Sequence, residues 1–309
     1  MTFSIVARDP ETGDFGVAVA SKFLAAGSVV SHASAGVGAI ATQALANYSY
    51  GRDGLDFLAD GRSAQEAIDA LTAADDGREQ RQLGIVDAHG RAATYTGREC
   101  IDWAGGLTAD GVAVQGNILA GSRVVDAMLA AYLTPGRPFP ERLVDALIAA
   151  DAEGGDRRGR QSAAVLVKRE KGGYGGNNDV YIDLRVDDDA SPMQRLAGML
   201  DLVHLYRDRP KPADLLPIDE ALVQELQSRL TAAGHAPTTL PKDGGLAKVL
   251  ADTVTERTGE PREMPVAWDE SWEAVMAEWI STENLEERMT ARGWIDPKVL
   301  EYLRKVSAG

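Results

Sequence analysis

The chain opens with two apolar runs, residues 2 to 8 and 14 to 20, rich in Val, Ile, Phe and Ala and separated by Asp9-Pro10-Glu11-Thr12-Gly13. Pro presets φ and Gly accepts a positive one, so the separator carries turn chemistry and the runs predict an antiparallel hairpin. Two further runs, 28 to 33 and 37 to 42, hold enough Gly and Ala to predict strands packed closely against another layer. Ser63-Ala64-Gln65-Glu66 reads as a capping box, in which Ser63 accepts from the backbone three residues on and Glu66 reaches back. It predicts a helix with Ala67, Ile68 and Leu71 inward. Residues 83 to 87, 92 to 95 and 112 to 115 read as strands, the first two around the turn Ala88-His89-Gly90-Arg91.

The period then changes. Val124, Val125, Met128, Leu129 and Tyr132 recur at helical spacing, as do Leu143, Leu147 and Ile148 behind Pro140, a residue suited to a first helical turn. Strands return at 162 to 167 and 180 to 186. The glycine-rich stretch between them, 172 to 178, lacks the lysine and following helix of a phosphate cradle and reads as a hairpin tip. Met193, Leu196, Leu200 and Val203 predict a closing helix. Strand blocks separated by helix pairs predict an α+β fold, a four-layer αββα sandwich of two stacked sheets with helices on both outer sides. This domain is expected over 1–206.

Residues 207–216, charged and proline-containing, predict a linker, and 217–309 a helical domain. There Leu222, Leu226 and Leu230 form one stripe and Trp268, Trp272, Met276 and Trp279 another. The tryptophans read as the core of a small helical domain, with a ligand platform as the alternative. Asp296-Pro297 is a cap and first-turn pair for a last helix carrying Val299, Leu300 and Leu303.

A length of 309 residues with 44% apolar content suits two domains. No run approaches the ~18 apolar residues of a membrane span and no basic stretch leads into a long apolar one, so the cytoplasm is the expected location. The single cysteine, Cys100, fits a reducing compartment. A net charge of −15 opposes nucleic acid and anionic membrane as partners. Asp187-Asp188-Asp189 lacks the spaced ligands and turn glycine of a calcium loop and reads as a solvated turn.

Most catalytic templates are absent: there is no Gly-x-Ser-x-Gly, His-Glu-x-x-His, Walker loop or Cys-x-x-Cys. The four histidines are scattered, and only His32, on a strand near the chain start, is a candidate. What remains is the N-terminus. A small residue at position 2 permits Met1 to be trimmed, which leaves Thr2 with a hydroxyl and a free α-amine at the tip of a strand. An α-amine with an ordinary pKa near ~7.7–8.0 can act as the base that activates the hydroxyl.

Six blocks carry a resemblance: Thr2 to Ala7, Gly16 to Lys22, Gly36 to Gln43, Gln82 to Asp87, Gln115 to Gly121 and Gly154 to Ser162. In content and order they resemble the bacterial and archaeal DUF1028 family, which implies an N-terminal-nucleophile-hydrolase-like fold. Residues 217 to 309, above all Glu283 to Arg288 and Ile295 to Leu303, resemble the helical tail of some members, described as peptidoglycan-binding. Dimerisation into a homo-oligomer, or packing on the first domain, stands beside that label.

By analogy with the wider hydrolase class, Lys22 would lie near Thr2 and lower the pKa values of its amine and hydroxyl, with an exposed strand-end lysine as the alternative. Asn117 would serve the oxyanion, or be a plain turn residue. Asp156 could orient the terminal amine and Arg160 hold a substrate carboxylate, unless they form a structural salt-bridge loop. Gln43, Asn47, Gln115 and His32 are candidates for substrate contacts. The implied reaction is hydrolysis of a small amide or peptide-like bond through an acyl-enzyme on Thr2, with no metal or organic cofactor. The rival is a non-catalytic binding protein on the same scaffold, with the tail binding a glycan, peptide or protein.

Overall fold

The computed structural model describes residues 2–246, 248 and 257–308. Residue 1, where trimming is expected, lies outside them. The chain forms two compact units, Met1–Leu200 and Asp201–Gly309. The first is α+β with two antiparallel sheets, and the second is small and mainly helical.

In the first unit the strands are β1 (Thr2–Arg8), β2 (Phe15–Ser21), β3 (Ser31–Ser34), β4 (Gly38–Ala44), β5 (Arg81–Asp87), β6 (Ala92–Thr96), β7 (Gly105–Ala109), β8 (Val112–Asn117), β9 (Ser162–Lys168) and β10 (Val180–Val186). One sheet runs β10-β9-β2-β1-β8-β7 and the other β3-β4-β5-β6. Side chains alternate across a strand, so β1 sends Thr2, Ser4 and Val6 one way and Phe3, Ile5 and Ala7 the other. Val6, Val17, Val19, Ala113 and Ala164 of the larger sheet share one buried cluster with Ala39, Ala41 and Val86 of the smaller. The two sheets therefore face each other through these positions.

Helices cover the opposite faces. Of α1 (Gly27–Val30), α2 (Ser49–Ala59), α3 (Ala64–Ala73), α4 (Arg123–Leu133) and α5 (Phe139–Ala152), the pair α2 and α3 sets Leu58, Ile68 and Leu71 against Ile40, Leu83 and Ile85 of the smaller sheet. On the larger sheet α5 comes so close that a Cβ at Gly16 would sit 2.4 Å from Leu143 and 2.9 Å from the Phe139 ring. The expected capping box is present: Ser63 Oγ accepts from the Glu66 backbone at 3.3 Å, and the Glu66 carboxylate accepts from the Ser63 backbone at 2.8 Å.

Two local readings change. The run 28 to 33 is not one strand. Val29 and Val30 donate back to the Ala26 carbonyl and close one helical turn, α1, so β3 starts only at Ser31. The strand β7 had no counterpart in the sequence reading: it is a glycine-led, half-exposed edge strand without the apolar run that marks a buried one.

Helix α6 (Pro192–Arg207) crosses the division at Leu200, N-terminal to the expected linker. Within 207–216 lies a single short helical turn, Pro212–Asp214. The second unit holds α7 (Glu220–Ala232), α8 (Glu270–Thr282) and α9 (Pro297–Val306), with a short pairing of β11 (Leu216–Pro217) and β12 (Trp294–Ile295). Leu226, Leu230, Trp268, Trp279 and Leu303 form its core. Trp268 precedes α8, which Asp269 caps, and stacks on Trp272 at 6.1 Å. Asp296 caps α9 by accepting from Lys298 N at 2.8 Å, with Pro297 in the first turn. Among the described residues no helix is long and apolar enough to cross a membrane.

Candidate active site

The layer between the two sheets changes character along β1. Val6 belongs to the apolar cluster, but Ser4 and Thr2, on the same face, look onto amides. β8 sets Gln115 opposite Ser4 and Asn117 opposite Thr2, while β4 and β5 pair Gln43 with Gln82. None of these four amides is more than 2% exposed. A buried amide costs stability unless bonded, and each carries both donors and acceptors, so the stable solution is a chain of them.

That chain is built, except that the buried Gln115 Oε1 has no hydrogen-bond partner among the described residues. Gln82 Oε1 accepts from Gln43 Nε2 and Asn117 Nδ2, both at 2.8 Å. Gln82 Nε2 donates to Gly116 O at 2.7 Å and Thr96 Oγ1 at 2.9 Å. Ser4 Oγ donates to Gln43 Oε1 at 2.7 Å and accepts from Gln115 Nε2 at 2.6 Å. The Gln115 amide fits because residue 84 is glycine: a Cβ there would sit 2.0 Å from its Oε1. The network reaches Thr2 at both ends of that residue. Gln43 Nε2 donates to the Thr2 carbonyl at 3.3 Å, and Thr2 Oγ1 lies 3.1 Å from Ser21 Oγ. Thr2 itself is 7% exposed.

Beyond Ser21 the chain enters a charged region. The loop 154 to 159 is shaped by Gly154 at φ +99° and Gly159 at φ +105°, conformations that favour glycine. Asp156, in bridge register with Leu119, accepts from Lys22 N at 2.8 Å and from Arg158 N at 2.9 Å, with the Arg158 guanidinium at 3.2 Å. Lys22 Nζ donates to the Arg160 carbonyl at 3.2 Å, and Arg160 Nε donates to both Asp151 oxygens at 2.8 and 2.9 Å. A cavity of about 620 Å³ opens here, lined by Lys22, Asp151, Asp156, Arg157, Arg160 and Asp188 among others. Thr2 is not one of the lining residues.

The structure thus gathers Thr2, Gln43, Gln115 and Asn117 in one network, and Lys22, Asp156 and Arg160 around a cavity that starts one residue past Ser21. It separates His32 and Asn47 from both. His32 pairs with Ile40 on the helix-facing side of its sheet, over Gly51, where a Cβ would meet the ring at 2.3 Å. Its Nε2 lies 3.2 Å from Val29 O, and burial pushes its pKa below the usual histidine value. Asn47 donates to Asp75, which also accepts from Tyr50 and Arg81. Those bonds, Arg81 foremost, hold the Asp75 carboxyl well below the usual carboxylate range. Cys100 has its thiol raised by burial and its Sγ 3.3 Å from Arg81 O, the opposite of an activated thiolate.

Sequence reasoning missed Ser4, Ser21 and Gln82. The available signal was phase: each polar residue falls on the same alternation as the apolar inward positions Val6, Val19 and Val86 of its own strand. A polar side chain at such a position has to find a buried partner.

The family described as "Family of unknown function (DUF1028)" matches residues 2–196. The domain described as "Putative peptidoglycan binding domain" matches residues 259–303. Among solved structures, the chain is similar to the crystal structure of protein SPO2555 from Silicibacter pomeroyi, a DUF1028 protein. Identity is 34%, 66% of this chain and 89% of that one are covered, and the TM-score is 0.60. No curated protein matches.

Proposed function

The chain belongs to the DUF1028 family, and from that premise we propose that it is an N-terminal-nucleophile amidohydrolase. In this reading its first domain is the αββα sandwich of that class, cleaving a small amide or peptide-like bond through an ester on Thr2. The observation that carries the proposal is the network of four buried amides and Ser4 that bonds the Thr2 carbonyl, at one end of a layer whose other end is apolar. Such an array lowers stability wherever a partner is lost, and its position at the tip of β1 coincides with the one residue that can offer hydroxyl and amine together.

In a chain that starts at Thr2, the neutral α-amine takes the hydroxyl proton as Oγ1 attacks the substrate carbonyl. The O–C bond forms, and charge gathers on the carbonyl oxygen. Asn117, with one Nδ2 hydrogen on Gln82 and a second available, is the side-chain donor for that oxygen. The amine passes its proton to the leaving nitrogen as the C–N bond breaks, and water, deprotonated by the same amine, hydrolyses the ester. Ser21 Oγ, 3.1 Å from Oγ1, orients the hydroxyl. Asp156 is a positioning residue: its carboxylate holds the Lys22 backbone, so it fixes the end of β2 instead of touching the amine. The test is turnover of amide substrates. Thr2→Ala is expected to abolish it with unchanged melting, and Thr2→Ser to retain a measurable part; full activity in Thr2→Ala would end the proposal.

A second reading is favoured by the match of residues 259–303 to a peptidoglycan-binding domain. There the protein is a non-catalytic binder of a glycan or peptide. Sedimentation of the full chain with purified peptidoglycan, together with inertness of Thr2 toward acylating agents, would support that reading over the first.

A further inference from the structure

The cavity beside Ser21 keeps charge of both signs after its internal pairs are subtracted. Asp151 is occupied by Arg160, and Asp156 by Lys22 N and Arg158. Two cations remain. Lys22 Nζ, exposed, is bonded among the described residues only to a carbonyl oxygen and has no carboxylate partner among them. Arg157 has no side-chain partner among the described residues; its backbone N–H, 3.4 Å from Ile118 O, ties it to the chain just after Asn117. The carboxylates left are Asp188, which among the described residues accepts only from the Gln161 amide at 3.1 Å, and, less freely, Asp189, whose Oδ1 accepts from Ser191 N at 2.7 Å and whose Oδ2 lies 3.7 Å from a largely exposed Arg195. All four residues line the same space of about 620 Å³, enough for a ligand of amino-acid or dipeptide size.

We propose that this cavity binds a zwitterion, the free amino and carboxyl groups of an amino acid or short peptide. Its carboxylate lies on Arg157 and Lys22, and its ammonium on Asp188 and Asp189. A guanidinium offers a carboxylate two parallel bonds, and the expected carboxylate holder, Arg160, already has its Nε on Asp151, so Arg157 takes that role. A ligand with one charge would engage only the cations or only the carboxylates of this lining. Lys22 follows Ser21 in the chain, and the Arg157 backbone is bonded to Ile118, the residue after Asn117, although neither Ser21 nor Asn117 lines the cavity. Calling this zwitterion part of the substrate rests on the proposed function; its binding does not.

The experiment is calorimetric titration of the full-length Thr2→Ala variant with glycylglycine, N-acetylglycylglycine and glycylglycine amide. Glycylglycine is expected to bind saturably and each blocked form at least about tenfold more weakly. Arg157→Ala and Asp188→Asn, both on exposed side chains, are each expected to weaken glycylglycine about tenfold with unchanged melting. Arg157→Lys should fall between. Absence of saturable binding, equal affinity for the blocked forms, or wild-type affinity in both variants overturns the assignment. Because the protein titrated cannot acylate, failure of the hydrolase reading leaves these outcomes untouched, and a zwitterion site can fail while Thr2 still reacts.

Discussion

At one end of the layer between the two sheets, Val6, Val17, Val19, Ala39, Ala41 and Val86 pack with nothing polar among them; at the other, Ser4, Gln43, Gln82, Gln115 and Asn117 fill the same kind of space. Both ends are equally buried and come from the same strands, so the difference lies in how each is stabilised. The apolar end draws on area removed from water, at roughly 25 cal/mol per Å², and tolerates changes of shape in proportion to the volume lost. The polar end gains little net energy from each bond and loses much when one is left unmade. In the proposed function the second arrangement is kept for chemistry at the tip of β1.

That contrast is broken most sharply at Gln82, which accepts from two amides and donates to two more groups. Gln82→Leu keeps the volume but strands several buried polar atoms, and is expected to lower unfolding free energy by about 3 kcal/mol or more in urea titration. It should also slow any reaction at Thr2, since Asn117 and Gln43 lose their anchor. A near-neutral result would show the network to be dispensable. At the apolar end, Val17→Ala is expected to cost about 2 kcal/mol and to leave reactivity at Thr2 unchanged in the folded protein. If both variants altered reactivity alike, the two ends would not be functionally distinct.

The smallest expected effect lies outside that layer, on the far face of the smaller sheet. Burial lowers the folded pKa of His32, so in the native state it stays neutral below the pH where the unfolded chain takes up a proton. The unfolded form then binds more protons, and stability should be full above the unfolded value near ~6.5 and fall as pH drops from there through the lowered folded value. Chemical denaturation between pH 7.5 and 5 is expected to show this slope, reduced in His32→Gln. An unchanged slope would assign it to other groups.

The order of strands and helices was legible because the period of the apolar positions switches between two and 3.6 along the chain, and the caps at Ser63 and Asp296 have local chemistry. α1, α2 and β7 were not: α1 and β7 depend on what lies next to them, and α2 carries Gly51 and Gly54 within its span, which weakens a helical pattern. Thr2, Gln43, Gln115 and Asn117 could be named from sequence, and they meet. Their link through Gln82 and Ser4 could not, because which strands of two separate sheets face each other is a tertiary fact. His32 and Asn47 lie near the site in sequence, but alternation and a loop send them to other surfaces. The Arg160 side chain is reached by a helix residue, Asp151, and that of Arg157 by no carboxylate among the described residues, a difference no local pattern encodes.

The most direct test of the account is to take the chain with Thr2 as its first residue, treat it with a β-lactone, and map the adduct by intact and peptide mass. One equivalent on Thr2 is expected, formed faster as pH rises through the range of an α-amine near ~7.7–8.0 and absent from Thr2→Ala. A mature protein whose leading threonine stays unmodified, or a label that persists in Thr2→Ala, would contradict it.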